Sequence, residues 1–292
     1  MLLHRPLTAL TALLAATLLS LPARAVDIDA GDYTALPAGT NLALVYFQHA
    51  TRNKLYASGH QAPIKPGLES DIGILRGVHF MELGGYTVDP QFLLPFGRLK
   101  ASDDIAALGR NSGIGDPILA ATLWLNKPGE KENVGITPFV WLPIGQYDRN
   151  EPLNLGEHRW KFALQGGWIK PLGQSVTMDL SADVTLFGKN DDFGSSGATL
   201  QQKAQFQFQA LWRYHLSPAS DLRFGLSQLS GGETKVDGVS QDDRASTTKF
   251  WVGGSTFVAA KTQLLATYGR DIDVRSGFKE NNRINLRLLQ IF

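Results

Sequence analysis

The chain has 292 residues, of which 43% are hydrophobic and 10% aromatic, and it contains 28 basic side chains, 27 acidic side chains and no cysteine. The formal net charge of +1 gives no electrostatic footprint for nucleic acid, and the lack of cysteine excludes disulfides and thiolate metal sites. The length suits one large β domain or two smaller ones.

Residues 1–25 have the organisation of a secretory signal peptide. His4 and Arg5 precede an uncharged apolar run that ends at Leu21, and a small-residue cleavage site ends at Ala25. We therefore predict export and cleavage after Ala25, with an uncleaved anchor as the alternative. Later segments lack the ~18–20 continuous apolar residues of a spanning helix, so an exported chain that enters a bilayer needs a closed barrel.

Residues 26–40 are polar, contain Pro37 and Gly39, and are predicted to form an irregular periplasmic lead-in or a partial plug. Residues 41–292 are predicted to form the barrel. We count twelve strand candidates there: 41–50, 68–80, 86–97, 114–125, 134–146, 158–170, 174–188, 201–216, 219–230, 246–259, 261–273 and 281–292. The third is predicted to be weak because Pro90 and Pro95 each remove a hydrogen-bond donor.

The eighth candidate alternates most clearly between apolar and polar side chains. Phe206, Phe208, Trp212 and Tyr214 share one face, and glutamines occupy most of the other. In a soluble sandwich these rings would fill a core, whereas in an outer-membrane barrel they would face lipid. In the seventh candidate, Asp179 and Asp183 oppose an apolar face, and buried carboxylates are costly in a dry core but not in a wet lumen.

The connections between the candidates alternate in length, which favours the barrel. The odd connections are long and polar, and most of the even ones are short, such as Ser217-Pro218. Such sorting is typical of barrels whose termini both lie in the periplasm. The six tryptophans all fall inside strand candidates, which fits interfacial girdles, although a sandwich core is the alternative: Trp124, Trp141, Trp160, Trp168, Trp212 and Trp251.

The last strand candidate ends the chain at Phe292. Ile284, Leu286 and Leu288 alternate with polar residues, and this pattern resembles the C-terminal signature of bacterial outer-membrane barrels, from which Gln290 departs. The resemblance implies that the outer-membrane barrel assembly machinery recognises Phe292.

Ten polar side chains are predicted to point into the lumen and to line a substrate path: Asp71, Asp179, Asp183, Gln205, Gln207, Gln209, Arg213, Arg223, Arg283 and Arg287. Ion pairs among them would narrow the lumen of a twelve-stranded barrel, so we expect a constricted channel. The alternative interpretation is that these side chains only fill and hydrate the interior.

Four stretches carry a family resemblance: 32–41, with Leu36-Pro37-Ala38-Gly39-Thr40-Asn41; Gly113-Ile114-Gly115-Asp116-Pro117; Leu142-Pro143-Ile144-Gly145-Gln146-Tyr147; and Asn154-Leu155-Gly156 with Trp160. Together they resemble the outer-membrane family named for the meta-pathway of phenol degradation. The resemblance implies a β-barrel in the outer membrane that takes up aromatic or other hydrophobic compounds. The residues themselves favour a backbone role, with the glycines at strand corners and Asp116 capping a turn.

The sequence thus predicts an all-β protein, an antiparallel transmembrane β-barrel of twelve strands in the cell outer membrane. Its expected partners are the lipid bilayer, lipopolysaccharide and a small hydrophobic ligand, and we expect no enzyme activity, cofactor or metal. Motifs for metal, phosphate or serine chemistry are missing from the sequence. An outer-membrane lipid hydrolase and a structural or adhesive barrel remain alternatives. The acidic pairs in the long loops are interpreted as solvated charge, with divalent-cation bridges to lipopolysaccharide as the alternative: Asp103-Asp104, Asp191-Asp192 and Asp242-Asp243.

Overall fold

The computed structural model describes residues 27–292, so the signal peptide predicted for residues 1–25 lies outside the described residues. Twelve long strands form one antiparallel sheet, in which each strand pairs with its neighbours in the chain. We number them β1 (Asn41–Ala57), β2 (Pro66–His79), β3 (Tyr86–Asp103), β4 (Ile118–Trp124), β5 (Asn133–Trp141), β6 (Lys161–Pro171), β7 (Val176–Phe187), β8 (Gln205–Ser217), β9 (Ser220–Gly231), β10 (Ala245–Ala259), β11 (Thr262–Val274) and β12 (Gly277–Ile291).

The sheet closes on itself because β12 pairs with β1. The ladder runs from Leu42 opposite Ile291 to Tyr56 opposite Gly277. A closed sheet leaves no unpaired strand edge, which is the condition for a β-structure to cross lipid. The predicted twelve-stranded barrel is therefore confirmed. We call the rim at which β1 begins and β12 ends the terminal rim, and the opposite end the loop rim. Within residues 27–292, no helix is long and apolar enough to cross a membrane.

The two faces of β8 lie as the alternation predicts. Phe206 and Phe208 point outward with 54% and 51% of their surfaces exposed, whereas Gln207 and Gln209 point inward and are buried. The outer wall repeats this exposure of large apolar side chains around the barrel, on β1, β3, β6, β9 and β12 among others. The apolar band is the surface that meets acyl chains.

The prediction that the third strand is weak is wrong. β3 has 18 residues and is the longest strand of the barrel. Opposite Pro95 the neighbouring chain forms no regular ladder, because the short strand Arg110–Ile114 has ended there and β4 has not yet begun. The missing N–H of Pro95 therefore removes no ladder hydrogen bond. The carbonyl of Pro95 instead accepts a hydrogen bond from the N–H of Gly115 at 2.9 Å.

The loop rim is built from strand extensions and small added elements. Because β11 and β12 both extend past their predicted ends, only Arg275 and Ser276 join them, in place of the connection predicted at 274–280. The other long connections carry a 3-10 helix, Ala106–Leu108, and a separate four-stranded sheet, formed by Asn190–Phe193, Ala198–Gln202, Thr234–Val236 and Val239–Ser240.

Only half of the tryptophans fit the girdle prediction. Trp160, Trp168 and Trp212 point outward on the barrel wall, whereas Trp124, Trp141 and Trp251 are buried inside it. Trp124 and Trp251 pack in a cluster with the chain that precedes β1, and Trp141 packs against Phe139 and Ala163 of the wall. The alternation of a strand alone does not say which face will find such apolar cover.

Candidate functional site

The chain before β1 turns back into the barrel. Residues 27–36, which we call the N-terminal segment, bond to the inner wall at increasing depth. Near the terminal rim the N–H of Ala35 donates to Oδ1 of Asn133 at 3.0 Å. Deeper in the lumen the N–H of Ile28 donates to Oε1 of Gln209 at 3.1 Å. The segment therefore runs from the terminal rim into the lumen along the wall.

Tyr33 anchors this segment in a notch of the wall. Its ring lies on Gly135 and Gly167, which face each other on β5 and β6. Its hydroxyl donates to Oε1 of Gln165 at 3.0 Å and lies 2.9 Å from Oγ1 of Thr137. A Cβ atom at Gly167 would lie 2.2 Å from the ring, so only glycine allows this seat.

Asp27 is held at the deep end of the segment by two cations of the wall. Its Oδ2 accepts from Arg283 at 2.9 Å and lies 3.3 Å from Nζ of Lys249, while Gln207 donates to Oδ1 at 2.8 Å. Burial raises the pKa of Asp27, but Lys249 and Arg283 together lower it further, so its pKa falls to about 2. The carboxylate is therefore charged at neutral pH.

Asp29 and Asp32 bind a second pair of cations nearer the terminal rim. Arg287 donates to Oδ2 of Asp29 at 2.9 Å and to Oδ1 of Asp32 at 3.0 Å. Arg76 donates to the other oxygen of Asp32 at 3.2 Å. Both carboxylates that bind Arg287 thus come from the N-terminal segment.

A cavity of about 360 Å³ remains between the segment and the opposite wall. Its two sides differ in polarity. The segment and strands β1, β10 and β12 supply most of its charged side chains, whereas β2 to β5 supply an apolar wall made of Ile72, Ile74, Leu93, Pro95, Ile118, Phe139 and Trp141. A molecule with an apolar body and a polar group would match both sides.

The charged side chains around the cavity balance. Six are acidic (Asp27, Asp29, Asp32, Asp116, Glu157 and Glu280) and six are basic (Arg52, Arg76, Lys161, Lys249, Arg283 and Arg287). At the loop-rim end, Glu157 bonds Lys161 and Arg159 at 2.6 Å each. Burial raises the pKa of Glu157, but these two cations bring it down to about 2. The lining is consequently polar without a net charge.

Three of the four family-like stretches meet at this loop-rim end. Oδ1 of Asp116 accepts the N–H of Gly145 at 3.0 Å, and its Oδ2 accepts the N–H of Glu157 at 2.8 Å. A Cβ atom at Gly145 would lie 2.5 Å from the backbone of Asp116, so the close approach requires glycine. An apolar cluster that includes Leu153 packs beside them. Asp116 therefore ties three loops together through backbone N–H groups distant in the chain, whereas the sequence predicted that it caps a local turn.

The structure separates the ten predicted lumen residues into groups. Nine lie on the inner face, and of these only Arg283 and Arg287 line the cavity. Several of the others bind the segment or its neighbours. Asp179 accepts the N–H of Gly31 at 2.9 Å and also binds Arg213, and Arg223 donates to the carbonyl of Ala30 at 2.6 Å. The inner wall of β7 to β9 is thus occupied, and its inward residues are as follows: Asp179, Asp183, Gln205, Gln207, Gln209, Arg213 and Arg223.

The inward placement of Asp71 is wrong. Its neighbours Ser70 and Ile72 line the cavity, so Asp71 points to the outside of β2. There it lies 2.7 Å from Nδ1 of His49 and accepts a bond from Nε of Arg98, whose side chain is 72% exposed. The rule that carboxylates of a strand point into the lumen fails on β2, because Ile72 and Ile74 occupy its inward side and line the cavity.

The sequence reasoning missed the side of the lumen that leaves room for a ligand. The apolar wall lies on β2 to β5, whose inner face mixes apolar side chains with polar ones such as Arg76 and Gln91. Alternation along these strands therefore does not separate the inner side from the lipid-facing side. Arg52, Arg76 and Lys161 were also missed. For Arg76 and Lys161 one signal was present, since both are charged residues within strand candidates; Arg52 lies beyond the first candidate, in the part by which β1 extends to Ala57.

Comparison with known proteins shows which family and which solved structures this barrel is similar to. The family model described as "Putative MetA-pathway of phenol degradation" matches residues 51–288. The crystal structure of an outer membrane channel from Pseudomonas putida F1 is 44% identical in sequence and superposes with a TM-score of 0.88, covering 91% of this chain and 100% of that chain.

A more distant structure shows the fold alone. The transport unit of the autotransporter AIDA-I from Escherichia coli superposes with a TM-score of 0.54 at 11% identity, covering 97% of this chain and 96% of that chain. A search of the curated proteins finds no match. The barrel is that of an outer-membrane protein, and the chain belongs to the family described as "Putative MetA-pathway of phenol degradation".

Proposed function

We propose that this chain is an outer-membrane channel that takes up small aromatic or other hydrophobic molecules through the cavity beside the N-terminal segment. The observation that carries the proposal is the two-sided cavity itself. An apolar wall on β2 to β5 faces a polar side, in a barrel whose lumen along β7 to β9 is occupied by the N-terminal segment. The similar channel from Pseudomonas putida F1 and the description of the family support transport of this kind.

The charge balance of the cavity selects against charged ligands. Each lining cation that we have traced already binds a carboxylate, as in the pairs Arg287 with Asp29 and Lys161 with Glu157. A charged ligand would lose its hydration without gaining a free partner, whereas an apolar ring with a hydroxyl gains both contact area and hydrogen bonds. The favoured ligands are therefore uncharged aromatic molecules that carry few polar groups.

The alternatives receive little support from the geometry. A lipid hydrolase of this type needs a histidine beside a serine hydroxyl. His49 binds Asp71, and His79 lies 2.8 Å from Oδ1 of Asn41. His215 lies 2.8 Å from Oγ1 of Thr177, which is a threonine and not a serine hydroxyl. These histidines are engaged with other partners. An adhesive barrel without transport would have no need for a cavity with one apolar side.

Neighbouring residues on β2 provide a matched test. Ile74 points into the cavity, and Leu75 points outward with 44% of its surface exposed. We expect Ile74→Trp to fill the cavity and to lower the uptake of 1-naphthol by cells about tenfold, with a similar loss of naphthol binding to the purified barrel. Leu75→Trp adds the same ring to the lipid-facing side and should leave both values within about twofold. Equal effects of the two variants would contradict the proposal.

A further inference from the structure

The wall of the cavity carries a surplus of positive charge that the N-terminal segment neutralises. Without the segment, the lining has six cations but only Asp116, Glu157 and Glu280 as anions. Asp27, Asp29 and Asp32 supply the missing three negative charges. The segment thus places three carboxylates of the chain itself on a cationic surface.

Two of these carboxylates each bridge two cations. Asp27 lies between Arg283 and Lys249, at 2.9 and 3.3 Å. Asp32 lies between Arg287 and Arg76, at 3.0 and 3.2 Å. Each pair of cations therefore forms a carboxylate subsite, one deep in the lumen and one nearer the terminal rim. A carboxylate held by two cations has the charge-assisted geometry of a ligand-binding site.

The aspartates leave part of the binding capacity of these arginines unused. Nε of Arg283 and Nε of Arg287 are buried within residues 27–292 without a hydrogen-bond partner, and the Arg287 side chain is only 5% exposed. A buried donor without a partner is unfavourable, so a group that approaches these arginines more closely than the aspartates would be favoured.

The segment is divided between an anchored part and an exchangeable part. Tyr33 is seated in the glycine notch and bonded at its hydroxyl, and the backbone N–H groups of Ile28 and Gly31 are bonded to the wall. The carboxylate groups of Asp27 and Asp32, in contrast, are held mainly by ion pairs. Buried ion pairs add little net stability, since desolvation offsets most of their attraction. A competing anion can therefore replace the aspartates while Tyr33 remains in place.

We propose that the cation pairs Arg283–Lys249 and Arg287–Arg76 are binding subsites for the carboxylate of an aromatic acid, which Asp27 and Asp32 occupy in the resting barrel. The inference rests on the proposed uptake of aromatic molecules, and it extends the ligand class to charged members. The apolar wall across the cavity takes the ring, and the subsite takes the carboxylate in exchange for an aspartate. The tethered aspartates thus exclude aromatic acids until such an acid competes with them.

The test uses a triple variant, Asp27→Asn with Asp29→Asn and Asp32→Asn, and two probes of nearly the same shape. Benzoate is charged and methyl benzoate is not. We expect the purified triple variant to bind benzoate about tenfold more tightly than the unmodified barrel does, because the subsites are vacated. Benzoate should also raise the temperature at which the variant unfolds in detergent by more than it raises that of the unmodified barrel. Methyl benzoate should bind to the two proteins equally and should stabilise them equally.

The control carries the same change of charge away from the cavity, at the exposed loop-rim residues Asp103, Asp191 and Asp242, each replaced by Asn. It should bind benzoate as the unmodified barrel does. Benzoate binding that is equal in the triple variant and in this control would overturn the inference. If the triple variant does not fold, Asp32→Asn alone gives the same comparison at the Arg287 subsite.

The proposed function is read separately in the same experiment. Binding of methyl benzoate to the unmodified barrel reports the uncharged aromatic site, and its loss in Ile74→Trp reports the cavity. A barrel that binds methyl benzoate but gains no benzoate binding in the triple variant retains the proposed function and loses the inference. If the triple variant binds benzoate but the unmodified barrel does not bind methyl benzoate, the inference is retained and the proposed function is lost.

Discussion

The ring of Tyr33 lies directly on Gly167, in space that a side chain at position 167 would fill. A Cβ atom there would come within 2.2 Å of the ring. The seat therefore depends on two positions far apart in the chain, one in the N-terminal segment and one on β6. It fixes where the segment enters the lumen and on which side of it the cavity remains open.

Replacing this glycine should release the segment. We expect Gly167→Val to displace Tyr33, because the valine occupies its notch, and to increase the single-channel conductance several-fold. Added protease should also cleave the segment sooner. The matched control is Gly166→Val, at a position that faces outward with open space around it. If both variants conduct alike, Tyr33 does not hold the segment.

The seam between β1 and β12 depends on a buried ion pair. Arg52 donates to Oε1 of Glu280 at 2.6 Å across the closing ladder, and the two side chains are almost fully buried. We expect Glu280→Gln to destabilise the barrel by about 3–5 kcal/mol, because the cations around it lose their shared carboxylate.

The measurement is the temperature at which heated samples change their mobility on gels from that of the folded barrel to that of the unfolded chain. We expect this temperature to be lower for Glu280→Gln. Glu82→Gln, at an exposed position near the terminal rim, should leave that temperature unchanged. An unchanged shift in Glu280→Gln would mean that the seam does not depend on this pair.

Because the chain has no cysteine, single introduced thiols report the sides of the wall directly. Phe206→Cys should react with lipid-soluble reagents, and Gln207→Cys should be protected from them. On β2, Asp71→Cys should react with a membrane-impermeant maleimide added to intact cells, whereas Ile72→Cys should react more slowly. The reverse order on β2 would restore the inward placement of Asp71.

The docking of Asp27 should depend on pH. Its pKa is lowered from 3.8 to about 2, chiefly because Lys249 and Arg283 outweigh the effect of burial; Gln207 assists, and Glu280 opposes. A carboxyl whose pKa falls on folding contributes stability above its unperturbed pKa, and this contribution is lost as the pH falls through the folded value.

Channel conductance should therefore stay constant from neutral pH to about pH 4 and rise as the pH approaches 2. In Asp27→Asn the part of the rise due to this residue should be missing, and the conductance at neutral pH should already be higher. Identical pH profiles for the two proteins would exclude a role for Asp27 in holding the segment.

The barrel itself was predictable because lipid imposes a strict local rule. A strand that crosses the membrane must alternate, and its ends must be joined by short turns on one side. β8 obeys this rule at every aromatic position from Phe206 to Tyr214, and all twelve strand candidates correspond to barrel strands. The predictions for β3 and Asp71 failed because alternation within a strand does not show whether its neighbour pairs with it or which of its sides lines the cavity.

The sequence by itself determined the closed sheet, its compartment and the lipid-facing side of the strands that alternate between aromatic and amide residues, because each of these follows from period and composition within one strand. The tertiary structure alone decided where the cavity lies. That depends on Tyr33 meeting Gly167, on three aspartates meeting four cations, and on Ile72 and Ile74 of β2 facing the lumen. Such contacts join distant parts of the chain, and no periodicity within a strand encodes them.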